Sequence, residues 1–343
     1  MPMTAAQLVS GANYSLKTYQ KENPMDQINV NHVTLDWLVK NKEESSFGNG
    51  SFKQPIYTSN DSNAQNYFGA DAVTYNERDP AKWTDFTYAN VHDGFWLDED
   101  RLIQAGIHLA DGGDSVPTKA ERDTLINLLT ENYRALKNGL QEHLAFETLR
   151  DGSQSTKATP GLAHIIDPSP ATGTVGGIDA AVDTYWQNNA NLGIVAATVV
   201  DQMQATYDDC RRYGGMLPKF IPCGQAFMDN YRTQANAVVN RQIVNTKGGV
   251  TIDPSTGALF FHGIPLQWDP TFEALDTLLG TTTQTKTAYF LNDAVKLRPV
   301  KGEWMRDRKP ERLPDRYVHY FGKTTKYAMT SNKRNALAVL SIA

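Results

Sequence analysis

Leucines recur at intervals of three and four across residues 118–151, the strongest pattern in the chain. Leu125, Leu128, Leu129, Tyr133, Leu136, Leu140, Leu144 and Leu149 fall along one face of a predicted helix. Thr118 and Glu121 form a T-x-x-E capping box directly after Pro117, and Gly152 in Asp151-Gly152-Ser153 is the expected C-terminal stop. Such a helix is roughly 50 Å long at 1.5 Å per residue, which suits a spine rather than a small core element. Gly139 inside it costs about 1 kcal/mol relative to alanine; a strand crossing in close contact would account for it.

The helical period returns at 191–213 through Leu192, Val195, Ala196, Val199, Met203, Tyr207 and Cys210, with Gly214-Gly215 as its stop, and again over Gln225–Val239. Short strands are predicted at Leu162–Ile166, Phe220–Pro222, Val250–Ile252, Ala258–Phe261 and Ala288–Leu291, with a turn at 253–257. Tyr317–Ser331 and Ala336–Ile342 are expected to form a closing hairpin through Asn332-Lys333-Arg334. In the polar residues 1–45, the apolar Val33, Leu35 and Leu38 predict one short amphipathic piece, an arm that needs a partner.

Residues 46–110 follow neither period. Phe52, Tyr57, Tyr67, Phe68, Tyr75, Trp83, Phe86, Tyr88, Phe95 and Trp96 stud a segment poor in aliphatic residues and rich in Asn, Asp, Gly and Thr. Strands are predicted at Gln54–Ser59, Ala72–Asn76 and Trp83–Val91, with turn chemistry between them. So many aromatics without a core of their own predict an extended hairpin that packs on another chain.

Composition narrows the class. A chain of 343 residues with 40% hydrophobic content buries real cores and is too long for a single one. Its net charge of −5 argues against wrapping nucleic acid as the main task, which calls for a basic protein. Two cysteines, Cys210 and Cys223, are too few for a disulfide framework and match no zinc spacing; Cys210, at an apolar helical position, reads as a buried free thiol folded in a reducing cytoplasm. The N-terminus lacks an apolar signal-peptide core and no apolar run reaches the length of a membrane span.

Candidate chemistry is sparse. Gly173–Gly177 is glycine-rich but lacks the Lys-Ser/Thr of a phosphate loop, so it reads as a flexible turn. His143 and Glu147 sit four apart on the predicted helix without a metalloprotease frame, and read as a solvated or hydrogen-bonded face. Asp179 and Asp183 near Trp186 have the look of paired glycosidase carboxylates, yet suit the polar face of a helix better; they carry the rival reading of a carboxylate-dependent hydrolase. Arg306, Arg308, Lys309, Arg312 and Arg316 alternate with Asp307, Glu311 and Asp315, which predicts an exposed loop with intersubunit ion pairs rather than a phosphate groove. No catalytic, cofactor-binding or metal residue is assigned, and the chain is expected not to be an enzyme.

The order of these pieces resembles the major capsid proteins of tailed bacteriophages, with the Hong Kong 97-like fold. The residues that carry the resemblance lie between about 92 and 343. They are the spine ending in Leu149-Arg150-Asp151-Gly152-Ser153, then Pro160-Gly161-Leu162, Gly173-Thr174-Val175-Gly176-Gly177-Ile178-Asp179 and Tyr185-Trp186-Gln187-Asn188, then Phe260–Leu266 with Asp269-Pro270, and Tyr289-Phe290-Leu291-Asn292. It looks closest to short-tailed phages similar to epsilon-fifteen. The resemblance implies an α+β chain divided into an N-terminal arm (1–45), an extended β-hairpin E-loop (46–115), a peripheral domain with the spine helix (116–189), an axial domain (190–300) and a return to the peripheral sheet (301–343). It implies a shell subunit that forms hexamers and pentamers around packaged double-stranded DNA, contacted weakly. Scaffold, cement and portal proteins are its further expected partners, and the virion its location, after assembly in the host cytoplasm. An encapsulin-like nanocompartment shell is the alternative within the same fold; a soluble adhesin or tail module using the aromatic segment is a further rival. The scaffold-like segment that many relatives carry has no room before residue 118, so a scaffold is expected to be cleaved or separate, and Met1 favours the latter.

Overall fold

The computed structural model describes residues 28–46, 50–104, 119–213, 216–241, 250–252, 259–312 and 317–343. Pro117 and Thr118 of the capping box, the Gly214-Gly215 stop, the turn at 253–257, Arg316 and most of the predicted arm lie outside them. The chain divides into two compact units. The first contains Asn90–Leu144 and Gly302–Lys326, the second Asn31–Ala89, Ala145–Lys301 and Tyr327–Ala343.

The second unit is built on a mixed sheet. In chain order its strands are β6 (Asn189–Ile194), β7 (Ile221–Cys223), β8 (Val250–Ile252), β9 (Leu259–Phe261), β10 (Ile264–Trp268), β11 (Thr287–Phe290) and β15 (Ala338–Ile342). They lie side by side as β6-β15-β11-β7-β10-β9-β8, with β10 parallel to β7, β15 parallel to β6, and β11 antiparallel to both β7 and β15. Helices α5 (Val199–Arg212) and α6 (Gln225–Arg241) lay Val199, Met203, Tyr207, Phe227 and Tyr231 onto Phe261, Phe290 and Leu340 to make the main core. Helix α7 (Thr271–Leu279) adds Phe272 and Leu275, both fully buried.

Three expectations fail here for identifiable reasons. The predicted helix at 191–213 begins only at Val199; residues 189–194 are strand, because Asn189 and Asn191 turn their amides inward to Asn335 O and Gln202 Oε1 and Gly193 adopts φ +68°. Leu192 and Val195, the supposed first helical apolar positions, are exposed. The closing hairpin is absent. β15 is buried on both faces and enters the mixed sheet, whereas β14 (Val318–Ser331) pairs elsewhere. Leu162–Ile165 forms a short helix, α4, instead of a strand.

The arm's helix, α1 (Val33–Lys40), finds its partner in its own chain. Leu35 and Leu38 are buried, Trp37 stacks on Phe220 at 5.4 Å, and the Thr34 amide donates to Asp269 Oδ2 at 2.8 Å. That carboxylate satisfies an amide the helix start leaves open. Beyond it, the Glu43 and Ser45 amides donate to the carbonyls of Leu297 and Pro299, in strand β12 (Val295–Pro299), which pairs with Tyr327–Ser331 of β14.

In the first unit, the earlier half of β14 is flanked by β13 (Arg306–Arg312) and β3 (Ala89–Asp98). The long helix α3 runs over Lys119–Leu149, close to the predicted span, with Leu136, Leu140 and Leu144 buried. Phe95 of β3 stacks on Phe321 of β14 at 5.0 Å, and both meet Tyr133 of α3 edge-on. The crossing strand expected at Gly139 is β3: a Cβ there would lie 3.4 Å from Asp93 Oδ2. Residues 306–312 are therefore sheet and not the exposed loop expected. Part of their charge is met within the chain: Glu303 pairs with Arg306 and Arg308, and Asp307 with Lys323.

Candidate assembly surface

Strands β1 (Ser51–Tyr57) and β2 (Ala81–Thr87) form an antiparallel hairpin, in register from Ser51 opposite Thr87 to Tyr57 opposite Ala81. Side chains alternate across such a ladder. One face carries Phe52, Gln54, Ile56, Thr84 and Phe86; the other carries Lys53, Tyr57, Trp83 and Asp85 to solvent. On the outer face Lys53 and Asp85 pair across the strands at 3.4 Å.

The inner face is anchored in the second unit. Ile56 and Phe86 join Val175, Ile178 and Trp186 in a small separate core. Val175 and Ile178 belong to a two-strand ribbon, β4 (Thr174–Val175) and β5 (Ile178–Asp179), turned by Gly176-Gly177. Both glycines have positive φ, +59° and +78°, the tight hairpin geometry that glycine permits. The Phe86 ring covers Gly176 so closely that a Cβ there would stand 2.9 Å from it, and the Gly176 carbonyl accepts the Asp85 amide at 2.9 Å. Gly173–Gly177 is thus a built seat for the hairpin instead of a flexible turn. Gln54 donates to Ser331 O at 2.8 Å, and the Arg298 guanidinium lies 4.1 Å over the Phe52 ring.

Asp183 accepts Lys82 Nζ on both oxygens, at 2.8 and 2.9 Å, and this bond raises the Lys82 pKa above its ordinary value. Asp179 Oδ1 accepts the Ala181 amide at 2.9 Å, and the Asp183 amide donates to the Asp179 carbonyl. The two aspartates therefore shape a turn and hold the hairpin, rather than lining a helix face. Glu147 accepts the Tyr327 hydroxyl at 2.7 Å in a buried site, and burial pushes the tyrosine's pKa well up; His143 is exposed. Among the described residues no three His, Cys, Asp or Glu side chains group to hold a metal ion.

Behind the seat stands Arg334, with no exposed surface. It donates Nε to Ile165 O at 2.7 Å, Nη1 to Trp186 O at 2.9 Å and Nη2 to Asn188 Oδ1 at 2.9 Å. Trp186 in turn donates Nε1 to Val175 O at 2.9 Å, and Asn188 donates to Asp167 O. Burial lowers the Arg334 pKa to about 10. The sequence placed Arg334 in the connection of the expected closing hairpin; no motif marks it, and only its three acceptors from distant segments reveal its role.

The far end of the hairpin is different. Residues 58–80 have no strand ladder, and the strand expected at Ala72–Asn76 is absent. Side-chain amides hold the connection: Asn63 donates to Thr74 O at 2.6 Å and Asn76 to Asp61 O at 2.8 Å. Tyr57, Tyr67, Phe68, Tyr75 and Trp83 are 87%, 69%, 88%, 92% and 65% exposed. The sequence expectation for this region thus divides. The root, expected to bury itself on another chain, does so on its own; the aromatic tip stays uncovered. Residues 90–98 belong to the β3 pairing of the first unit.

A long helix crossed by a strand, a mixed sheet with two helices laid on it and a projecting hairpin together make the α+β architecture of the Hong Kong 97-like shell fold. Solved structures share it across nearly the whole chain. A capsid protein of cyanophage A-1(L) aligns with a TM-score of 0.61 and 14% identity, over 94% of this chain and 95% of its own. That of cyanophage P-SCSP1u gives 0.56 and 9%, over 94% and 91%. The SrpI encapsulin of Synechococcus elongatus gives 0.52 and 10%, over 95% and 94%. At these identities the likeness is one of fold. No family profile and no curated protein matches the sequence itself.

Proposed function

We propose that this chain is the major capsid protein of a tailed phage, a structural subunit and not an enzyme. It assembles into hexamers and pentamers that close into an icosahedral shell around double-stranded DNA. The observation that carries the reading is the hairpin: a root fixed by a buried arginine network, and an outer face and tip that leave five aromatics in solvent. Monomeric proteins seldom expose such a patch without a partner. The shared fold with phage capsid proteins supports the same conclusion. The division into arm, E-loop, peripheral and axial parts, the kinship with epsilon-fifteen-like phages, residence in the virion after assembly in the host cytoplasm, and the scaffold, cement and portal partners belong to this proposal too.

Energetics favour repeated contact. Covering roughly 100 Å² of each aromatic gains about 12 kcal/mol gross at 25 cal/mol per Å². Association alone costs roughly 4–15 kcal/mol. One tip is therefore a marginal contact, and closed rings of such contacts supply the missing stability. The test is negative-stain imaging of the purified full chain beside a Tyr67→Ser, Phe68→Ser variant. Closed shells from the parent and smaller oligomers from the folded variant are expected; a monodisperse parent monomer overturns the reading. The encapsulin likeness supports a second reading, a shell around protein cargo. Shells purified from the native source that contain protein and no nucleic acid would favour it.

A further inference from the structure

We propose that the first unit carries a nucleic-acid contact: a basic groove between α3 and strands β13 and β14 that takes the phosphodiester backbone. This rests on the shell reading above, and assigns the enclosed polymer a place on the chain. Two adjoining open cavities, about 620 and 690 Å³, share Asp307, Arg308 and Lys309 along one strand. Arg134 and Lys137 enter from one face of α3, Arg306 from β13 and Lys323 from β14. Against these six cations stand Asp307, which pairs with Lys323, and Glu303, which pairs with Arg306 and Arg308. Lys137 and Lys309 add two charges that these acids do not pair, on a chain whose net charge is −5. Lys137 and Lys309 are exposed and make no ion pair among the described residues.

The groove's shape and lining narrow the ligand. Both cavities are open and lined by the same three consecutive residues of β13, an extended surface that suits a polymer more than a single anion. Trp96, 45% exposed, lines it beside Arg306 and Arg308. An exposed indole among cations suits bases and sugars next to phosphates, whereas an acidic peptide offers the ring no matching surface. The alternating charges of 306–315 hid this in the sequence. In the fold, the paired acids neutralise only part of the cluster, and helix α3 adds two cations from far along the chain.

The test uses the unassembled full chain and fluorescent oligonucleotides of about 30 nucleotides, one single-stranded poly-dT and one duplex, titrated at several salt concentrations. The variant is Lys137→Glu with Lys309→Glu; Lys157→Glu, an exposed lysine in the other unit, is the control. The expected result is a loss of affinity of about tenfold or more for the double variant, with a shallower salt dependence by about two phosphate contacts, and parent-like binding by the control. Tighter binding of poly-dT assigns the groove to unpaired strands, and tighter binding of the duplex to the packaged form; either supports it. Equal loss in variant and control, no loss in the variant, or binding of polyglutamate in place of both oligonucleotides overturns it. Imaging the same preparations separates the two readings: a double variant that binds oligonucleotides poorly yet still closes shells has given up its hold on nucleic acid while the capacity to assemble is intact.

Discussion

Replacing Arg334 with methionine tests whether the hairpin's seat is a stabilising network or a tolerated buried charge. Methionine retains most of the side chain's length and removes every donor. The loss strands two buried acceptors, Ile165 O and Trp186 O, at about 1–3 kcal/mol each, and takes from Asn188 Oδ1 one of its two donors, the Asp167 amide remaining, at about 1 kcal/mol. Against this, burial that lowers the arginine pKa from 12.5 to about 10 corresponds to about 3 kcal/mol of penalty on the charged form, which methionine relieves. The lost bonds outweigh that relief, and a net destabilisation of about 2 kcal/mol is expected. Lysine keeps the charge but cannot span three acceptors with its fork lost, so it should be at least as damaging as methionine. Urea unfolding of the unassembled chain, followed by tryptophan fluorescence and by protease cleavage within residues 51–87, measures both the stability and its location. A methionine variant within about 0.5 kcal/mol of the parent would refute the reasoning, since the three bonds would then contribute nothing beyond the cost of burying the charge.

Gly161→Ala should destabilise by about 3 kcal/mol or more, because a Cβ at Gly161 would lie 2.4–2.6 Å from the carbonyl oxygens of Glu147, Arg150 and Thr148; soluble yield and thermal midpoint report it. Asp276 accepts Thr281 Oγ1, Thr285 Oγ1 and the amides of Gln284 and Thr285. Burial alone would raise its pKa, but these four bonds together lower it below 3.8. Its contribution is therefore complete above pH 3.8 and lost as the pH falls below that value. Asp276→Asn should flatten this acid limb while lowering stability at neutral pH, as acid titration by circular dichroism will show. Cys210 is buried, with its thiol pushed up to about 12, so a maleimide should label it only as fast as the chain unfolds; rapid labelling of the native protein would contradict its placement.

How much was legible in the sequence depended on whether a residue's partners lay nearby along the chain. Helix α3 announces itself because its leucines, Leu125 to Leu149, repeat along one face for about seven turns. The root of the hairpin was legible from its strands and turn residues, and the uncovered aromatic tip from its composition. Strand β6 was misread as helix because Leu192 and the adjoining Val195 are exposed; the strand is held by Ile194 and by the amides of Asn189 and Asn191, and a period of apolar residues does not register amides. β15 is buried on both faces, so it shows no alternation to fix its neighbours, and proximity to β14 in sequence was a false guide. The motif Pro160-Gly161-Leu162 was visible as a pattern, but its cause, the crowding of Gly161 against the carbonyls that close α3, exists only in three dimensions. Arg334 had no local signature at all. Its acceptors come from positions 165, 186 and 188, and a charged residue in a connecting segment is ordinarily solvated.

The tip at residues 58–80 takes no part in its own chain's cores, so changes there are free of the demands of folding and answer only to whatever receives them. If the chain builds a shell as proposed, two diverged versions of it made in one cell would sort by the match between tip and receiver, not by fold. Mixed particles would form only between versions whose tips remain interchangeable, and a lineage could become incompatible with its siblings through a few aromatic substitutions while every copy still folded normally.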